Sequence, residues 1–192
     1  MNTEAPDCGI AYKEWSGVRD ALVDGRQTIL IRKGGVSESA GAGGFTLEHP
    51  AFWIYPTHLH EAEQGLKTQA EASQGPGSPS GTVLLSALAR VHAATWLASE
   101  RTLESLDAFH VLTAETMKKR FHYRHPGLWV LLARVMIARP GFAIGIRPEH
   151  AGCKTWVSLE QPLPTAGLEP AMDDSAWRQT AERLERVLAV TR

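Results

Sequence analysis

Cysteine is almost missing from this chain. Cys8 and Cys153 are the only two in 192 residues, far apart and in no CxxC pair. A disulfide framework and a zinc–thiolate cluster are therefore excluded. Long hydrophobic runs are also lacking, and none approaches the roughly 20 residues that a membrane-spanning helix needs. The first residues, Met1 to Asp7, are polar and acidic where a secretory leader would be basic and then apolar, so we expect no signal peptide and a cytoplasmic location. Net charge is only −1, and no whole-molecule field draws the chain to nucleic acid or a membrane surface. Common catalytic signatures are absent: there is no Walker-type loop, GxGxxG, GxSxG or HExxH. No spacing of acids with a lysine marks a divalent-metal nuclease. The expectation is no cofactor and no dedicated metal centre.

What is present suits one domain with a substantial core: 43% of residues are apolar and 21% charged. Charge is unevenly placed. Residues 1–117 carry a net of −6, residues 118–154 a net of +7, and the remainder −2. A neutral protein with that segregation can still present a basic face.

Trp15, Val18, Ala21 and Leu22 recur at helical spacing, with Gly25 as a stop. Residues 27–31, rich in β-branched side chains, predict a buried strand. Two short strands are expected at 45–47 and 52–55, and Thr57 reads as the cap of a weakly amphipathic helix running to Ala70. Residues 74–81, rich in Gly, Pro and Ser, read as a flexible connector between an N-terminal and a C-terminal lobe of a single domain covering 1–192. Beyond it we expect a strand from Thr82 to Val91 or further, helices at 102–109 and from Thr113, a strand at 128–137 stopped by Arg139-Pro140, and a strand at 154–159. A last helix is expected from about Asp174, with Trp177, Ala181, Leu184 and Leu188 on one face. Such a mixture reads as an α+β domain, as in a partly closed barrel with flanking helices.

The densest candidate chemistry lies where the 27–31 strand runs into Arg32-Lys33-Gly34-Gly35. Two cations followed by glycines, whose N–H groups can approach a ligand closely, suit a phosphate or carboxylate. Glu38, Tyr55, Thr57 and His60 follow as further ligand-contacting candidates, with Glu38 and His60 the candidates for proton transfer. His58 and His60, beside Glu61 and Glu63 and with His49 upstream, would share a side of an extended segment as metal ligands must, but would diverge on a helix. A hydrogen-bonded structural role is the plainer alternative. Lys118, Lys119, Arg120 and Arg124, interleaved with Phe121 and Tyr123, form a candidate nucleic-acid patch; otherwise they make a solvated basic turn. Cys153 beside Lys154 is either an activated thiol or a small buried hydrophobe.

The order Lys13-Glu14-Trp15, Ala21-Leu22, Gly25, Leu30 to Gly35, Glu38, then Phe52, Tyr55-Pro56-Thr57 and His60 resembles the bacterial and archaeal family called domain of unknown function 1802. Arg120-Phe121, the 128–137 strand and Gly152 to Val157 are similar to it as well. The family would carry glutamine after its histidine, where this chain has Glu61. Asp24 to Arg32 also looks like the helix-to-strand entry of ASCH domains, a branch of the PUA-like fold, although Gln27 and Leu30 replace that motif's lysine and glutamate. The resemblance implies a PUA-like architecture and a cleft for RNA or modified bases. The favoured expectation is thus a protein that binds RNA, DNA or a nucleotide-like anion, Arg32 and Lys33 neutralising phosphate and Tyr55 stacking. The alternatives are a small hydrolase or nuclease using Glu38, Glu48 and His60, with or without a metal, and a protein-docking module.

Overall fold

The computed structural model describes residues 7–33, 48–57, 65–67, 81–151 and 155–189. The chain opens with a strand, β1 (Cys8–Trp15), and turns directly into helix α1 (Ser16–Val23). Gly25, at φ +69°, takes the left-handed conformation that ends this helix and releases β2 (Ile29–Arg32). β3 (Ala51–Thr57) follows, then the two longest strands, β4 (Thr82–Leu97) and β5 (Leu128–Gly145). Between them lie α2 (Thr102–Ser105), a short 3-10 turn at Asp107–Phe109, and α3 (Ala114–His122). Thr113 caps α3 by accepting a hydrogen bond from the Thr116 N–H at 3.2 Å. β6 (Trp156–Leu163), the two-residue β7 (Glu169–Pro170) and α4 (Asp174–Ala189) complete the fold.

The seven strands among the described residues belong to one sheet in the order β2-β5-β4-β3-β1-β6, with β7 added on β5. The β1–β3 pair is parallel, and every other pair is antiparallel. The α+β class expected from sequence is present, as a sheet not closed into a barrel. It is nevertheless curled. Three strands separate β2 from β1 in the order, yet Arg32 on β2 donates from Nη2 to the Lys13 carbonyl on β1 at 2.5 Å.

Because side chains alternate along a strand, β1 and β3 feed two different cores. Tyr12, Phe52 and Ile54 point into the larger one, inside the curl, where the buried stripe of α4 (Trp177, Ala181, Leu184 and Leu188) also packs. Ala11, Trp53 and Tyr55 point to the other face and join Val83, Leu85, Leu88, Ala138 and Val157. Burying both faces explains why β5 reads as a nearly continuous apolar run rather than an alternating one.

Several boundaries differ from expectation. Trp15, expected on the first turn of the helix, ends β1 instead, and Ala11 to Glu14 before it are buried between β3 and β6. β5 does not stop at Arg139-Pro140. The register jumps from Ala87↔Ile137 to Leu85↔Phe142, so these residues bulge out and the missing proline N–H breaks no ladder bond. Thr57 is the last residue of β3, and of the helix expected after it only residues 65–67 are described, where Leu66 bridges to Leu112. The expected strand at 45–47 and nearly all of the 74–81 connector lie outside the described residues.

Candidate functional site

β1 delivers Tyr12 and Glu14 to the inner face of the curl, and there they meet two arginines. Arg32 arrives from the end of β2. Its guanidinium carbon lies 4.2 Å from the centre of the Tyr12 ring, and its Nε donates to a tyrosine hydroxyl, that of Tyr12. Arg120 arrives from α3 and stacks over Trp15 at 4.3 Å, donating from Nη1 to the Ile31 carbonyl at 3.1 Å. Both cations therefore sit on aromatic faces, which suits guanidinium better than ammonium.

Glu14 is the acid of this cluster and is almost wholly buried. One carboxylate oxygen accepts from the Trp15 N–H at 2.8 Å and lies 4.0 Å from Arg120 Nη2. The other oxygen has no hydrogen-bond partner among the described residues. Burial raises the Glu14 pKa above its ordinary value, opposed by the Arg120 charge and the Trp15 N–H. Burial, reinforced by the Arg120 charge, lowers Arg32 to about 9, so it stays protonated at neutral pH. Burial lowers Arg120 as well, with Glu14 pulling it back. Two guanidiniums against one carboxylate leave this buried cluster net positive. Such a cluster is chemically suited to an anion.

Lys33 leaves in the opposite direction, as the next residue of an extended chain must. Its ammonium donates to the Phe121 and Gly127 carbonyls, each at 2.8 Å, and to the His125 carbonyl. An ammonium has three donors, and here all three hold the turn after α3. This role replaces the free phosphate cation expected of Lys33. Tyr55, expected to stack beside Arg32, belongs to the other core, its ring 5.8 Å from that of His150. Thr57 donates from Oγ1 to the Glu14 carbonyl at 3.2 Å and so fixes the strand that carries the acid.

The basic segment divides. Arg120 turns inward while Lys118, Lys119 and Arg124 remain at the surface. Lys119 pairs with Glu115 at 2.7 Å, one helical turn back, and Arg124 lies over the Tyr123 ring at 5.2 Å. Phe121 is in the core, whereas Tyr123 is 57% exposed. Trp96 adds a second exposed ring, stacked near His125 and packed against Trp129 at 5.4 Å. Glu48 is exposed, 3.5 Å from His49, and precedes the start of β3. Its one ion-pair partner among the described residues is His49, and it makes no ion pair with Arg32 or Arg120 there. Gly34, Gly35, Glu38, His58, His60, Glu61, Glu63 and Cys153 lie outside the described residues. Among the described residues no group of three His, Cys, Asp or Glu side chains is placed to hold a metal ion. No helix among them is long and apolar enough to cross a membrane.

Glu14 and Arg120 are the site residues that sequence reading did not bring together. The available signal was two consecutive charges, Lys13 and Glu14, inside an otherwise apolar and aromatic stretch from Ile10 to Trp15. Read as a strand, that stretch places one charge in each core.

The chain belongs to the family defined as domain of unknown function 1802, whose model matches residues 11–183. Among solved structures it is similar to the ASCH protein of Zymomonas mobilis, with 15% identity over 79% of this chain and 87% of that one, at a TM-score of 0.46. Two single-residue variants of that protein match at 14% identity and a TM-score of 0.45, covering 79% and 98% of this chain and 90% and 100% of theirs. No curated protein matches its sequence.

Proposed function

We propose that this protein binds a nucleic acid or a nucleotide-like anion, with a phosphate held at the Arg32–Arg120 pair. The observation that supports it is the charge imbalance: two guanidiniums sit on aromatic faces inside the fold, and one carboxylate opposes them. Structural burial of a lone ion pair would need no second cation, because an uncompensated buried charge is costly. A phosphate would supply the missing negative charge and accept from the guanidinium edges.

A single-stranded nucleic acid suits the surroundings better than an isolated nucleotide. Lys118 and Arg124 continue the positive charge outward along α3, and Lys33 locks that helix end to the strand carrying Arg32. Exposed Tyr123 and Trp96 offer rings on which unpaired bases can stack. Arg32 and Arg120 then hold phosphate, the outer cations follow the backbone, and the aromatics take bases.

Fluorescence polarisation with short single-stranded RNA, single-stranded DNA and duplex probes at two salt concentrations tests this. Affinity should fall steeply with salt, by counterion release. Arg32→Gln should weaken binding by about tenfold or more, the loss of one charge-assisted hydrogen-bonding group. Binding that ignores salt, or survives in a folded Arg32→Gln/Arg120→Gln double variant, would sink the proposal and favour a protein-docking role.

A further inference from the structure

Most open strand edges of this sheet are defended against a further strand, and one is not. β2 is only four residues long. β6 carries Glu160 and Pro162, and it bulges away from β1, its register passing from Ile10↔Ser158 to Cys8↔Leu163. Short length, charge, proline and a bulge each stop another chain from adding to an edge. The end of β5 differs. β4 lies along one side of it, while on the other side β2 covers residues 129–132 and β7 covers 136–137. No strand among the described residues pairs with that second side at Phe142–Gly145. From Gly141 to Ile146 the sequence carries neither charge nor proline.

This bare edge borders a cavity of about 320 Å³ with β6 on its far side. Ala143, Ile144 and Gly145 all line it. Successive side chains of a strand point to opposite faces, and Gly145 has none, so the cavity meets the edge backbone of β5. Ile144, Leu159 and Leu163 supply its apolar wall. Phe142, Ile144 and Ile146 are two apart and share a side of the extended chain. The Phe142 ring packs on Trp53 of the second core at 5.3 Å, and Ile146 continues the row outward at 54% exposure. The Ile146 N–H donates to the Gly81 carbonyl at 2.8 Å, which keeps the β4 side occupied past the end of β5.

The open side of a strand offers backbone donors and acceptors at strand spacing, and another extended chain is what matches both. A polyanion gains little here, because Arg147 in the wall is already paired with Glu160 at 2.5 Å. A second copy of this chain would have to bring the same edge, and two edges that each lie in a recess do not reach one another. A free extended segment of a different protein enters without that conflict. Its side chains two residues apart would lie beside Ile144 and Ile146, so apolar residues at alternate positions are favoured.

We infer that residues 142–146 form a docking edge for an extended, uncharged segment of a partner protein, which adds to the sheet as a further strand. Fluorescence polarisation with labelled short peptides, alternating valine, isoleucine or phenylalanine with threonine and ending in lysine for solubility, tests it. At least one should bind saturably, and the protein's amides at 142–146 should gain protection from hydrogen exchange. The same peptide methylated on alternate backbone nitrogens, in either phase, keeps its side chains but loses one edge of donors. One of the two methylated forms should bind about tenfold more weakly or worse. Ile146→Lys puts a charge on the edge at an exposed position, so it should leave the urea midpoint unchanged and weaken binding by about tenfold. The Arg32→Gln/Arg120→Gln variant should bind the peptide as the wild type does, which separates this edge from the anion site. No saturable binding by any alternating peptide would overturn the inference, as would binding that tolerates both methylated forms or protects other amides instead. A dimer of the free protein that Ile146→Lys abolishes would overturn it too, giving the edge to a second copy.

Discussion

One pair of neighbouring strands serves two polar clusters of different make-up, one on each face of the sheet. On the inner face of the curl, β1 and β3 present Tyr12 and Glu14 to two arginines, and the cluster is net positive. On the other face the same strands present Lys13 and Tyr55 to His150, in the wall of a cavity between the end of β5 and β6. The alternation of a β-strand alone makes this division, since consecutive residues must go to opposite sides. Lys13 and Glu14 are adjacent in sequence and serve different chemistry. The lesson is that a buried charged dipeptide in a strand sends its members to opposite faces, and the two need separate explanations.

The sharpest way to break the contrast is to empty the inner face of its second cation. Arg120→Ala removes the cation that lies 4.0 Å from the buried Glu14 carboxylate and frees the Ile31 carbonyl. It should cost about 3 kcal/mol of stability, the range for breaking a buried pair from one side, measured as a drop in the urea midpoint. Gly127→Ala comes next. Gly127 sits at φ +124°, and an added Cβ would lie 2.1 Å from the Trp96 ring, so the turn held by Lys33 must open. A loss of about 2 kcal/mol is expected, the scale of a strained backbone plus overpacking, with Trp96 fluorescence shifting in parallel.

Glu14→Gln sharpens the comparison in the other direction. It removes the buried negative charge while keeping the side-chain shape, so nucleic-acid affinity should rise several-fold at pH 7. The pH profile gives the sign. Glu14 has a raised pKa in the fold, so its charge costs stability at neutral pH, and that cost is lost as pH falls through the raised value. Anion binding in the wild type should therefore tighten on acidification, and the tightening should vanish in Glu14→Gln. On the alkaline side, binding should weaken as pH passes about 9, where Arg32 loses its proton. A flat profile in both limbs would separate the anion site from this cluster.

The smallest effects belong to the surface. Lys118→Ala and Arg124→Ala should leave the urea midpoint unchanged, and each should lower the salt slope of nucleic-acid binding by about one. Lys119 is already paired with Glu115 at an exposed position, and Lys119→Ala should change the slope less than either.

Much of the fold was legible because periodicity reports burial. α4 and the apolar stretch of β5 followed from spacing alone, and Thr113 identified the start of α3. β1 was not legible, since a strand buried on both sides and carrying Lys13 and Glu14 has neither alternation nor a uniform apolar run. Of the site, Arg32 stood out as a cation at a strand end. Arg120 looked like one more charge in a basic run, because only the geometry of α3 turns it inward while Lys118 and Lys119 stay out. Lys33 looked equivalent to Arg32 for the same reason: sequence does not show the carbonyls waiting on the far side.

The position of β1 has a consequence for how the protein is made. Of the described strands β1 emerges before the others during synthesis, yet its partners are β3, ending at Thr57, and β6, ending at Leu163. A ribosome must deliver most of the chain before the first strand has a neighbour on each side. Until then an apolar strand waits with open edges, which is the form most prone to pair with another chain. Truncations that remove β6 should therefore yield aggregate, because β1 would keep an unpaired edge.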